Sequence, residues 1–138
     1  MHIVYNLVMM DMESSYDNHN EEFNIGFFSS RSIAEKTAAK YQQEVNGFKD
    51  YPVTYQIKEK NIINASITQL DVFIIYGWNE NDELDEIDVV ESDCYSSMEE
   101  AETQLHEMKK RFHWKEWCID KYRIDKCYWQ EGFEKVFR

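Results

Sequence analysis

Phe28-Ser29-Ser30-Arg31-Ser32-Ile33-Ala34-Glu35 and Tyr95-Ser96-Ser97-Met98-Glu99-Glu100-Ala101-Glu102 stand 67 positions apart (28 to 95) and agree at the aromatic, the two serines, the alanine and the glutamate. The same offset lays Tyr55-Gln56-Ile57 on Tyr122-Arg123-Ile124. Either match alone is weak. Recurrence of one offset on both sides of a gap points to an internal repeat, which has to be read before any fold is assigned.

The apolar pattern between the matches supports the repeat. Ala34, Ala38, Tyr41 and Val45 fall at i, i+4, i+7 and i+11, one face of an α-helix, and the offset carries them onto Ala101, Leu105, Met108 and Phe112. Ser97 with Glu100 reads as a capping box, and Ser32 with Glu35, or Ser30 alone, as the first helix's start. Gly47 reads as the left-handed residue that closes the first helix.

Strands frame each helix. β-Branched and aromatic residues mark Ile3–Met10 and Val72–Trp78 as the opening strands, Asn24–Phe28 and Ile87–Tyr95 as the second ones. Val53, Tyr55 and Ile57 alternate with Thr54, Gln56 and Lys58, with Cys118–Ile124 as the counterpart. Asn61–Gln69 reads as the linker. The expected fold is α+β: a tandem ββαβ repeat, residues 1–62 and 70–138, sharing one antiparallel sheet of about six strands with two helices on one face. One compact pseudo-twofold domain with an aromatic C-terminal tail is the expectation.

Composition narrows the function. The 138 residues are 43% hydrophobic and 15% aromatic, ample for one core. The net charge is −12, with nine acids and six bases in residues 1–66 against eighteen and nine in residues 67–138. Such a field repels phosphate backbones and anionic membranes, so a basic protein partner fits better than nucleic acid or lipid. Cys94, Cys118 and Cys127 are an odd set without paired spacing, which favours a reducing compartment. The opening MHIVYNLVMMDMESS lacks a basic region and its apolar run is broken by Asn6 and Asp11, unlike a signal peptide. Cytoplasm is the expected location.

Ile25-Gly26-Phe27-Phe28-Ser29-Ser30, Ala34-Glu35-Lys36, Gly47-Phe48-Lys49-Asp50-Tyr51-Pro52 and Tyr55-Gln56-Ile57 together resemble a family of small bacterial domains of unknown function. Its pattern is a strand pair, a helix, a GF-basic-DYP turn and a strand, often ending in Trp-x-Glu-Gly-Phe. Here that ending is Trp129-Gln130-Glu131-Gly132-Phe133, in the second copy, whereas His113-Trp114-Lys115-Glu116-Trp117 stands where the second DYP turn belongs. The resemblance covers about 45 residues of the first copy and the last 20 or so of the second. It implies the fold and, if the two motifs form a site in the family, one composite site or none here; it implies no activity.

Few residues carry chemistry. The stretch Asn79–Asp93 holds eight carboxylates and no base. A calcium loop needs glycine at its sixth position, which here is Leu84, so a solvated acidic hairpin loop is the plainer reading. Glu80, Asp82, Glu83, Asp85, Glu86 and Asp88 form the candidate acidic surface. His113, Cys118 and Cys127 are spaced by five and nine, unlike zinc ligands, and the cysteines read as small buried hydrophobes. No catalytic residue, metal or cofactor is assigned, and the chain reads as a non-enzyme.

The last residues crowd Trp114, Trp117, Tyr122, Tyr128, Trp129, Phe133 and Phe137. They read first as core that caps the sheet and fills space around Ala34 and Ala38, and alternatively as a binding patch. The candidate partner-binding residues are Trp78, Trp114, Trp117, Tyr128, Trp129, Glu131 and Phe133. The leading functional expectation is a non-enzymatic interaction protein, such as an acidic inhibitor or immunity-type protein for a basic partner, as a monomer or weak homodimer. The alternative is a small-molecule sensor or sequestering protein with a cleft between the copies lined by Trp78, Tyr122 and Trp129.

Overall fold

A computed structural model describes residues 2–11, 21–66, 68–81 and 86–134. The chain is α+β, and the order β-β-α-β runs through it twice: β1 (Ile3–Asp11), β2 (Glu21–Phe28), α1 (Arg31–Glu44), β3 (Val53–Ile63), then β4 (Asp71–Asn81), β5 (Glu86–Tyr95), α2 (Met98–Arg111), β6 (Glu116–Arg123). The helices start and stop at the offset read in the sequence. Ser30 and Ser97 are their N-caps, accepting from the backbone N–H of Ile33 and Glu100, and Val45 and Phe112 are their C-caps. Ser30, not Ser32, therefore starts α1. Only half of the expected capping box at Ser97 is seen, because the Glu100 carboxylate accepts from Ser96 Oγ and from Asn64 Nδ2.

The two hairpins also break register at matching places. β1–β2 shifts between Leu7 and Val8, leaving Val8 opposite Asn24; β4–β5 shifts between Ile74 and Tyr76, leaving Tyr76 opposite Glu91. Glu91 is 67 residues on from Asn24 (24 to 91). A bulge inserts an extra residue and bends the strand, so it re-aims the side chains on either side of it.

The six strands lie in the order β2-β1-β3-β5-β4-β6. The sheet is mixed, which corrects the all-antiparallel expectation: β5 is antiparallel to β4 but parallel to β3, with Ile62 opposite Cys94 and Ile63 opposite Tyr95. The cause is strand order. β4 runs back from β3 yet lies beyond β5, so β5 is left beside β3 in the same sense.

β3 is also longer than its alternation suggested. Asn61, Ile62 and Ile63 continue the strand, so the expected linker loses its first three residues. The β-branched pair Ile62-Ile63 favours extended backbone, and Ile62 N–H donates to His2 O at 2.7 Å. Gly47 does not close α1. The helix ends at extended Val45, and Gly47 (φ +83°) belongs to the following turn, where its N–H donates to Asp50 Oδ2 and its carbonyl accepts from Asp50 and Tyr51 N–H.

Compactness divides the chain differently from the copies. One unit is Val4–Glu59 with Ile124–Arg138; the other is Met1–Ile3 with Lys60–Arg123. In the first, Leu7, Met9, Phe23, Ile25, Phe28, Ala34, Ala38, Tyr41, Val45 and Phe48 form the core, with Cys127 and Phe133 packed on it. In the second, Ile75, Tyr95 and Ala101 are buried with Phe73, Leu105, Met108, Trp117 and Ile119 around them. The helical stripes read from the sequence face these cores. Both faces of the opening strands are buried: Val4, Asn6 and Val8 as well as Leu7 and Met9 in β1, Val72 and Ile74 as well as Ile75 in β4.

Candidate functional site

The GF-DYP turn and the Trp-x-Glu-Gly-Phe segment meet in the unit built from Val4–Glu59 and Ile124–Arg138. The meeting starts from two glycines. A Cβ on Gly47 would come within 2.5 Å of the Phe133 carbonyl and 2.6 Å of its ring, and one on Gly132 within 2.0 Å of the Asn46 carbonyl. Both glycines hold positive φ, +83° and +80°, which L side chains adopt at a cost. Glycine at these two places lets two backbones touch, and Phe133 N–H donates to Asn46 O at 3.1 Å across the contact.

The Phe133 ring then stacks on Phe23 (4.6 Å between centroids, 20° between planes) and meets Phe48 edge-on at 5.0 Å. Tyr51 of the DYP turn stacks on its rim at 5.9 Å, and Trp129 sets its edge against Phe23 at 4.8 Å. Upstream, Asp125 N–H donates to Phe27 O and Tyr128 N–H to Ile25 O, at 2.8 and 2.7 Å along β2. The Asp125 carboxylate accepts from Ser29 N–H and Oγ, and the Tyr41 hydroxyl donates to Tyr128 O. Burial, helped by the neighbouring Cys127, drives the Tyr41 phenol far above its ordinary range, so it stays a neutral donor.

The expected aromatic residues fall in both units. Tyr128, Trp129, Glu131 and Phe133 belong to this unit; Trp78, Trp114 and Trp117, with Tyr122, belong to the other. Phe133 is partly buried in the core, and Trp129 is 48% exposed with φ +61°, a conformation uncommon for a bulky residue. Phe137 lies outside the described residues. Of the zinc candidates, His113 and Cys118 belong to one unit and Cys127 to the other.

In the unit of β4, β5, α2 and β6, glycine again admits an aromatic. A Cβ on Gly77 would meet the Trp117 ring at 2.6 Å and Trp114 Cδ1 at 2.8 Å. Trp117 Nε1 donates to Trp114 O at 3.0 Å, and the Trp114 ring stacks on Phe112 at 5.9 Å. These tryptophans are half-buried packing around the end of the sheet. The hairpin that follows is longer than expected: paired strands continue to Asn79 opposite Asp88, Glu80 opposite Ile87 and Asn81 opposite Glu86. Among the described residues the acidic run therefore lies on strands. Asp82, Glu83 and Asp85, and the side chains of Glu80, Glu86 and Asp88, lie outside the described residues.

The bulge in β4–β5 gathers polar groups that sequence reasoning did not select. Lys60 Nζ lies 3.3 Å from Glu91 Oε2 and donates to Ser92 O, with side chains only 13% and 25% exposed. Ser92 Oγ takes the Ile75 N–H left over by the register shift, at 2.8 Å. Tyr76 is bonded to the Tyr122 hydroxyl and raised far above the ordinary phenol range, by burial first and then by Tyr122, Glu91 and Asp120. Burial pushes the neighbouring Cys94 thiol up to about 12, against the pull of Lys60. The available signal was the interruption of apolar alternation by Lys60 and Ser92 in strands otherwise rich in Ile and Val, which a one-strand reading treats as solvent-facing. A hydrogen-bonded ion pair beside the neutral Tyr76 phenol is a polar brace; among the described residues no group of three or more His, Cys, Asp or Glu is placed to hold a metal ion.

Compared with family models, curated proteins and solved structures, the chain matches none. Among the described residues no helix is long and apolar enough to cross a membrane.

Proposed function

We propose that this chain is a non-enzymatic binding protein whose acidic second copy holds a basic protein partner, as an inhibitor or immunity-type protein would. The observation that carries the reading is the placement of charge on the fold. Residues 67–138 hold eighteen acids against nine bases, and Glu80, Glu86, Asp88, Glu91 and Asp93 stand on the paired strands of the β4–β5 hairpin. A field of one sign carried on a paired hairpin speeds encounter with a basic partner and selects partners by charge. Three unbridged cysteines, one buried and two half-buried, accord with a reducing cytoplasmic setting.

The family resemblance is best read as a fold signature. Its GF-DYP turn and its Trp-x-Glu-Gly-Phe ending pack on each other through Gly47, Phe48 and Phe133, so their residue types are accounted for by mutual fit. The tandem arrangement is read as duplication, supported by the shared offset of caps and bulges.

The test is capture from the host's lysate at low and high salt, with the wild-type chain beside Asp82→Asn/Glu83→Gln/Asp85→Asn. The expected result is a basic protein held by wild type at low salt, released at high salt and lost with the variant. Equal capture by both chains, or an empty capture at low salt, overturns the reading.

A further inference from the structure

The segment from Ile124 onward extends the second copy yet completes the unit of Val4–Glu59. It leaves β6 through a two-residue turn, Ile124-Asp125, in which Asp125 holds φ +64°. From there it lies along β2 through two backbone hydrogen bonds, to Phe27 O and Ile25 O, and ends in the Phe133 anchor. The first copy does something similar. Past Glu59, β3 passes into the other unit and sets Ile62 opposite Cys94 on β5. Cys94 stands 67 residues on from Phe27 (27 to 94). The first copy thus gives the end of its last strand, and the second copy the stretch after its last strand, to the second strand of the other copy.

We propose that the C-terminal arm also exchanges between chains, so that residues 124–134 of a second copy dock on β2, Tyr41 and the turn at Gly47 of the first. Everything the arm touches from Asp125 to Phe133 is the same surface in either case, so the contacts do not discriminate. The balance rests on chain concentration against the local concentration of the tethered arm, on the order of millimolar for a short linker. The hinge tips it. Two residues with a left-handed non-glycine form a short, strained connection, and such hinges relax by extending into a partner. A second copy is the occupant because it alone carries the interlocking Gly132-Phe133 pair together with an Asp placed for Ser29.

The test uses the full chain, unfolded in denaturant and refolded at micromolar and at near-millimolar concentration, with mass read by light scattering. The expected result is monomer at low concentration and a dimer at high concentration that persists after dilution. Ser29→Cys/Asp125→Cys, in a background of Cys118→Ser and Cys127→Ser, reports where the arm sits. Oxidation joins two chains in the exchanged dimer and closes a loop within one chain in the monomer. A short glycine insertion after Ile124 leaves the docking residues in place and is expected to lower the dimer fraction several-fold. Monomer at every concentration, a dimer whose cross-link stays within each chain, or a dimer indifferent to the insertion overturns the proposal.

Discussion

Replacing Phe133 by alanine probes the joint between the two motifs. The ring has three aromatic neighbours with centroids at 4.6, 5.0 and 5.9 Å, on Phe23, Phe48 and Tyr51, and it is partly buried against the core. A fully buried Phe→Ala change costs about 3–5 kcal/mol, of which lost aromatic pairing is roughly 0.5–1.5 per pair. Partial exposure lowers that figure, and the arm's hydrogen bonds to Phe27 and Ile25 remain. The expected loss is therefore about 2–3 kcal/mol. For a chain of this size that corresponds to a fall in Tm on the order of 10 °C. Urea denaturation followed by tryptophan fluorescence reads the loss, and amide exchange locates it. Protection should fall first at Tyr128, whose N–H bonds to Ile25 O, and at the Phe133 position itself, whose N–H bonds to Asn46 O. A loss below about 1 kcal/mol, or protection lost first in α2, would refute the argument that Phe133 anchors the arm.

Gly47→Ala is expected to destabilise by about 1–2 kcal/mol from its left-handed φ alone, and further because the new methyl meets the Phe133 carbonyl; a thermal melt unchanged from wild type contradicts this. Cys94 is neutral in the fold with its thiol raised from 9.0 to about 12, so its contribution is present below pH 9 and is lost as pH climbs toward 12. Stability measured from pH 8 to 11 should fall, and Cys94→Ala should flatten part of that fall; identical slopes for the two proteins would count against it. Lys60→Met removes the cation from a mostly buried pair and is expected to cost roughly 2 kcal/mol, partly restored by adding Glu91→Gln. A double-mutant cycle with no coupling would show the pair to be incidental. Asp71→Ala breaks the pair with Arg123, whose side chain is 52% exposed, and should cost less than about 1 kcal/mol by urea denaturation; a larger loss would mean that Asp71 does more than hold Arg123.

Legibility followed the range of the interactions. The α2 start at Ser97 was readable to the residue and the α1 start only to the choice between Ser30 and Ser32, because caps and stripes depend on neighbours three or four positions away; the α1 end, read at Gly47, falls at Val45. The β4–β5 hairpin was readable as a pair, but its length was not. Charge at Glu80 and Glu86 looked like loop, and cross-strand pairing overrode that local preference. Which unit each candidate aromatic joins was not legible along the chain: Trp78, Trp114 and Trp117 fall in one unit and Tyr128, Trp129, Glu131 and Phe133 in the other. The Lys60–Glu91–Tyr76 brace was not legible at all: its members come from three strands and meet only where a bulge turns them together.

By itself, then, the order of residues determined the β-β-α-β order of elements, the α+β class, the two helical stripes, and an acidic excess after residue 66. Each depends on composition or on contacts within a turn or a strand. Tertiary structure decided the parallel pairing of β3 with β5, the division into units that cut across the copies, and the docking of the arm. The Ser29–Asp125 hydrogen bonds join residues 96 positions apart. No local propensity encodes such a contact, because its free energy exists only once β2, α1 and the turn at Gly47 have built the surface that receives it.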